Sequence, residues 1–222
     1  MINNSQNEMV KLITEIVVKE ASALGIEIKK DTSLVPVSIS ARHLHLKKEH
    51  LETLFGSGHE LTKVKDISQP GQYAAEEKVT LQGPRGKIDN VRVLGPIRKE
   101  TQIEISATDS RVLGVKPVVR DSGNIDNTPG IVLIGPKGSL AIDKGCIVAE
   151  RHIHMTPADA AEYNVSDGEV VSVKVHTPRG GVFDKVLIRV REDYALDMHI
   201  DVDEANAFLI SNGDLVEIVK NK

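Results

Sequence analysis

The segment AERHIHMTPADAAEYN at residues 149–164 repeats the pattern of SARHLHLKKEHLETLF at residues 40–55, 109 positions further along the chain. Both read Arg-His-apolar-His-apolar and then pass into a short helical stretch. In a strand, alternate side chains share a face, so each His-x-His puts two imidazoles on one side and the apolar residue between them on the other. Thr156 then suits a helix cap and Pro157 a first helical turn. Two further blocks keep the same order: GPRGKIDNVRVL (83–94) matches TPRGGVFDKVLI (177–188), and QIEIS (102–106) matches DMHID (197–201). These later blocks are offset by 94 or 95 positions, so the first copy carries about 15 additional residues, most simply within GHELTKVKDISQPGQYAAEE (58–77). Three ordered blocks predict two related β units.

The texture around these blocks agrees. From Ser33 onward, short Val/Ile/Leu runs of period two are punctuated by GPRG, GPKG and TPRGG, the pattern of strand, tight turn, strand. Many short strands at this spacing favour small barrels or sandwiches over a parallel α/β sheet. Helices are few and short, at 47–55 and 156–164, and the turn formers of DSGNIDNTPG (121–130) predict a loop late in the first unit. One long helical period stands apart, at residues 6–24. Val10, Ile13, Val17, Ala21 and Leu24 form one apolar stripe, and Lys11, Glu15 and Lys19 follow one another at four-residue steps on the other side. Asn3, Asn4 or Ser5 could cap this amphipathic helix and Gly25 could end it, with residues 26–32 as a tether. It reads as a helix packed on the body or as a detachable docking helix.

Composition narrows the function classes. Across 222 residues the chain is 40% hydrophobic and 27% charged, with a formal charge of -4. That balance argues for a folded protein and against a general nucleic-acid binder, which needs surplus Lys and Arg to neutralise phosphates. Trp is absent, so stacking platforms for single strands are poorly supported. The apolar runs are far short of the roughly 20 residues that span a bilayer, and no apolar signal region follows a basic start. The cytoplasm is the default compartment. A single cysteine, Cys146, excludes an intrachain disulfide framework and a cysteine-based zinc cluster; in its apolar setting it reads as a small buried hydrophobe rather than a nucleophile.

The chemistry concentrates in the repeated histidines. One His-x-His on a strand is more often a surface pair than a metal site. Here there are two, His43 with His45 and His152 with His154, and each has an aligned third group downstream, Glu104 in QIEIS and His199 in DMHID. Three protein ligands with an open position are the arrangement of catalytic zinc. Imidazole and carboxylate also suit Fe, Co or Ni, and availability favours Zn. The difference between Glu104 and His199 points to two ions with different tasks.

Arginines form the second constellation. Arg85, Arg92 and Arg98 crowd a short stretch with Lys87 and Lys99, and guanidinium groups grip phosphate through two hydrogen bonds. Arg85 has a counterpart in Arg179 and can serve its turn alone. Arg98 has none, and it lies six residues before Glu104. Arg42 and Arg151, next to the histidine pairs, face away from the ligands by strand alternation and read as structural. His50, His59 and His176 have no repeat partner and read as solvated. No nucleophile elbow, P-loop or dinucleotide fingerprint is present.

Taken together, RHLHL, QPGQYAAEE, VRVLGPIRKETQIEIS, DSGN followed by TPGI, IVAERHIHM and DMHIDVDEAN resemble the PduL-type phosphate propanoyltransferases, the phosphotransacylases of bacterial microcompartments, from about Val35 to the end of the chain. The resemblance implies a mainly β fold of two small β-barrels capped by short helices, with two metal ions, usually zinc, between them. It implies a first barrel over 42–149 and a second over 150–222 joined by strand 33–41, after an N-terminal helix and tether at 1–31. It implies that His43, His45 and Glu104 hold one ion and that His152, His154 and His199 hold the other. Arg98 would bind phosphate, while Ile39, Ser40, Ala41, Arg85, Arg92 and Asn206 would contact coenzyme A. Residues 6–24 resemble in pattern an encapsulation peptide that binds shell proteins, which would place the protein inside a microcompartment. A homo-oligomer stays open.

The implied reaction converts acyl-CoA, propanoyl or acetyl, plus phosphate into acyl phosphate plus CoA, reversibly and by direct attack in a ternary complex. A metal-dependent thioesterase or other hydrolase, a non-catalytic CoA- or metal-binding module and a structural microcompartment component are the competing readings; phosphate dependence separates transfer from hydrolysis.

Overall fold

The computed structural model describes residues 34–219 and, ahead of them, positions 9, 12, 13, 16, 17, 19–21, 23 and 24. The chain divides into two compact units, residues 1–32 and 33–222. In the first, the described positions from 9 to 23 are helical (α1), and Ile13, Val17 and Leu24 of the apolar stripe are each more than half exposed. The cap expected among Asn3, Asn4 and Ser5, the stop at Gly25 and the tether at 26–32 lie outside the described residues.

The second unit is mainly β, as the period-two runs predict, and holds two hydrophobic cores, one per lobe. The second lobe is a closed six-stranded barrel. Its strands are β1 (Leu34–Ser40), β11 (His152–Met155), β12 (Val170–Val175), β13 (Gly181–Val190), β14 (Asp197–Asp201) and β15 (Leu215–Val219). β1 enters it from the start of the unit, parallel to β14 and antiparallel to β15, with Val35 and Val37 buried in its core.

The first lobe is a curled half-barrel: its nine strands form a sheet in the order β7-β10-β6-β2-β5-β4-β8-β9, with β3 paired to β4. Its strands are β2 (His43–His45), β3 (Lys63–Asp66), β4 (Tyr73–Gln82), β5 (Lys87–Gly95), β6 (Gln102–Glu104), β7 (Val119–Arg120), β8 (Ile131–Ile134), β9 (Ser139–Ile142) and β10 (Cys146–Ala149). One core takes side chains from β2, β4, β5, β6, β8 and β10, so the sheet must curl around it, but no strand pairing joins its two ends.

The repeat is visible in the pairing. β2 runs parallel to β5 and antiparallel to β6, and β11 runs parallel to β13 and antiparallel to β14. His43 stands opposite Glu104, and His152 opposite His199. The GPRG and GPKG turns close hairpins through Gly83 N–H to Gly86 C=O and Gly135 N–H to Gly138 C=O. At Gly83 a Cβ would stand 2.2 Å from the Leu113 carbonyl oxygen, so only glycine lets the hairpin sit against the helix end there.

Short helices follow the site strands. These are α2 (Lys48–Phe55), α3 (Ala107–Leu113), α4 (Pro157–Tyr163) and α5 (Val202–Phe208). The last three start in capping boxes, Ser106 with Asp109, Thr156 with Asp159 and Asp201 with Glu204. Each box ends a strand sharply, so the side chains of that strand stay in fixed positions. Among the described residues no helix is long and apolar enough to cross a membrane.

Candidate active site between two histidine clusters

The strands β2, β6, β11 and β14 bring all six repeated residues to one cleft of about 1020 Å³ between the lobes. Strand alternation works as expected: Leu44 and Ile153 go fully into the two cores, while the flanking histidines turn toward the cleft.

In the first lobe, the ligating atoms of His43, His45 and Glu104 lie within 4.8 Å of one another. His43 Nε2 is 3.4 Å from Glu104 Oε2, and the ring nitrogens facing away are held by carbonyls, His43 Nδ1 by Ala41 at 2.9 Å and His45 Nδ1 by Leu94 at 3.2 Å. That pattern leaves each Nε2 lone pair free for a cation. Burial, helped by Arg98 and His43, pulls His45 down to about 3. Burial alone would push the Glu104 carboxyl up, but His43, His45 and Arg98 outweigh it and hold the group at about 2.

In the second lobe the three rings pack on one another, with centroids 4.6 Å apart for His152 and His154, 4.8 Å for His154 and His199, and 5.2 Å for His152 and His199. Burial lowers His152 and His199 to about 4 and His154 to about 2, so all three are neutral imidazoles. His154 Nδ1 is buried without a hydrogen-bond partner, an orphaned lone pair of the kind a cation would satisfy. Neutral imidazole beside an ionised carboxylate makes His43, His45 and Glu104 a fit for a divalent metal; among the described residues only these donor atoms converge within 4.8 Å, while the second cluster offers the unpartnered His154 nitrogen.

Arg98 also lines the cleft, half-buried. Its backbone N–H donates to the Leu46 carbonyl at 2.9 Å, which anchors the β5–β6 connection beside His45. Its guanidinium reaches Ser122 Oγ at 3.4 Å. Ile39, Ser40, Ala41 and Arg92 line the same cleft, although Arg92 Nη1 is already bonded to the Ala75 carbonyl. Arg85 and Asn206 do not line it; the Arg85 stem packs against Gly114 at the far end of its hairpin.

Several polar groups in or behind the cleft wall escape sequence reading. Gln102 donates to Glu104 Oε1 at 2.6 Å and to Ser122 Oγ at 2.8 Å, and Ser122 donates to Glu104 at 3.0 Å. These bonds fix the carboxylate. In the repeat, Gln102 corresponds to Asp197, whose Oδ2 is 3.3 Å from His199 Nε2; the two-residue spacing to Glu104 and to His199 was the available signal. Arg189 falls just past the second matched block and gave none. It pairs with Asp121 at 3.3 Å and, with Tyr194, closes the His154 side of the cleft. Ser122 sits in a stretch that read only as a loop.

A smaller recess adjoins the cleft behind His43, Glu104, His152 and His199, with Ala41, Ile105, Ala149 and Ile200 as apolar walls.

The sequence profile of the phosphate propanoyltransferase family matches residues 36–211. A phosphate propanoyltransferase of Thermotoga maritima is 55% identical over 210 residues, covering 94% of this chain and 100% of its own. One of Rhodopseudomonas palustris is 52% identical over 190 residues, 86% of this chain and 84% of its own. One of Clostridioides difficile is 47% identical, covering 99% of each chain.

Proposed function

Because the chain belongs to the phosphate propanoyltransferase family, and so is a phosphate acyltransferase, we propose that it moves a propanoyl group between coenzyme A and phosphate in the cleft between its lobes. The observation that carries this reading is the meeting of Arg98 and Arg189 with both histidine clusters in one cleft. Two anionic substrates need fixed positive charge to approach each other, and the guanidinium groups supply it.

In the direction that consumes thioester, an oxygen of hydrogen phosphate bonds to the carbonyl carbon while the C–S bond breaks. The electron pair leaves on sulfur, and the phosphate proton ends on the coenzyme A thiol. Arg98, with Ser122 beside it, binds phosphate and fixes its orientation, which removes the entropy cost of assembling two substrates. Divalent ions, with zinc favoured, would be held by His43, His45 and Glu104 and by His152, His154 and His199, and would supply Lewis-acid charge for the carbonyl oxygen and the departing thiolate. Ile39, Ser40, Ala41 and Arg92 would carry coenzyme A along the cleft wall. Acetyl-CoA would also be used, since the one methylene that separates it from propanoyl-CoA is worth only about 1–3 kcal/mol in a pocket. We infer direct attack; Cys146 is no candidate for an acyl carrier, being buried in the first core with its thiol pushed up to about 12 by burial.

The same reading treats residues 42–149 and 150–222, the latter with strand 33–41, as two domains. It takes residues 6–24 as a docking segment for microcompartment shell proteins, for which the exposed Met9, Leu12, Ile13, Ile16 and Val17 supply apolar surface.

The test is thiol release from propanoyl-CoA by the metal-loaded protein, with and without phosphate. Release that requires phosphate, with propanoyl phosphate as product, supports transfer. Release without phosphate makes the protein a hydrolase.

A further inference from the structure

Each histidine pair is preceded by an arginine, and the two arginines make equivalent ion pairs. Arg42 grips Asp109 twice, Nε to Oδ2 at 3.0 Å and Nη2 to Oδ1 at 2.9 Å. Arg151 Nε lies 2.8 Å from Glu204 Oε1. Both acids occupy the third position of a helix and close its capping box. Both also follow the third member of a triad by five residues, Glu104 to Asp109 and His199 to Glu204. Each ion pair therefore ties the strand carrying two histidines to the end of the strand carrying the third group.

β2 meets β6 over three Cα partners, and β11 meets β14 over three. Ladders this short hold register with few hydrogen bonds, and the ligand triads sit at their ends. The acids differ in length, Asp109 against Glu204, yet both reach an arginine. The duplication thus preserves the contact rather than the residue. The two cap turns also touch, with Thr108 N–H donating to Asp203 Oδ2 at 2.8 Å, so the braces of the two lobes abut.

We propose that Arg42 and Arg151 are positioning residues, each clamping the two legs of its own triad so that the three donor groups converge on one ion. The proposal rests on reading the triads as metal sites. Arg42 borders the cleft, but Arg151 does not line it, so substrate contact cannot account for an effect of replacing Arg151.

The full-length protein, stripped with a chelator, is titrated with Zn2+ against a chromophoric competitor, and kcat and phosphate KM are measured after reloading. Wild type should take up Zn2+ in two steps. Arg151→Lys keeps the charge but loses the guanidinium geometry; it should weaken one step and kcat by roughly tenfold, with phosphate KM nearly unchanged. Arg42→Lys should weaken the other step. Glu204→Gln, which keeps an acceptor for the Asp201 N–H but loses the charge, should weaken the same step as Arg151→Lys. A lower melting temperature with both Zn2+ steps and kcat at wild-type values would reduce the pairs to helix capping and overturn the proposal. A wild-type chain that takes up no Zn2+ would remove the metal reading itself and this proposal with it.

Discussion

Gln69 donates from Nε2 to the Ala195 carbonyl at 3.1 Å and accepts from the Ala195 N–H through Oε1 at 3.2 Å. One side chain from the first lobe thus completes both backbone bonds of a residue in the second, in the loop between β13 and β14. Gln69 is 2% exposed and belongs to the stretch that only the first copy of the repeat contains. Gln69→Ala leaves two backbone groups without partners and should cost about 1–3 kcal/mol. Urea unfolding should show a lower midpoint at an unchanged slope. An unaltered midpoint would mean that the lobes are held together elsewhere.

Arg98→Ala should weaken the use of phosphate by about 1.5–3 kcal/mol, the scale of a hydrogen bond to a charged group. Arg98→Lys should recover part of this, because the charge survives but the fork does not. Initial rates against phosphate concentration test both; equal kcat and phosphate KM in all three proteins would remove Arg98 from the site.

Cys146, with its thiol pushed up to about 12 by burial, should resist iodoacetamide in the folded protein and react in urea. Cys146→Ala should keep kcat within about twofold, since no acyl group passes through sulfur. Loss of transfer with retained folding would argue for a covalent intermediate.

Glu77 is buried and accepts from His59 Nε2 at 2.9 Å and from Thr62 N–H at 3.1 Å. Burial alone would raise its pKa, but hydrogen bonds from its own backbone N–H, from His59 and from Thr62 together outweigh it and lower it. A carboxyl held below its unfolded value stabilises the fold above about pH 4.3 and loses that contribution as pH falls through the folded value. The stability gap between wild type and Glu77→Gln should therefore be full at pH 7 and shrink on acidification below pH ~4. Melting curves across that range check the sign; a gap that widens in acid would reverse it.

Much of this architecture was legible because it is local. The hairpins at GPRG and GPKG, the capped helix after Thr156 and the shared face of His43 and His45 all follow from turn chemistry and period-two alternation within a few residues. The matched QIEIS and DMHID blocks even identify Glu104 and His199 as counterparts opposite the histidine pairs. Other features depend on bonds between distant residues, which no local pattern encodes. Whether a sheet closes depends on its two edge strands meeting, so the second lobe became a barrel and the first stayed open. Ser122 read only as loop until folding brought it onto Glu104, 18 residues away in the chain. Arg189 joined the site through Asp121, and Gln69 through Ala195 across 126 residues. The duplicated strands and the donor groups on them are written into neighbouring residues, because alternation is a property of adjacent positions. How the two lobes face each other is set in the folded chain, because it depends on hydrogen bonds and ion pairs whose partners meet after both cores have formed.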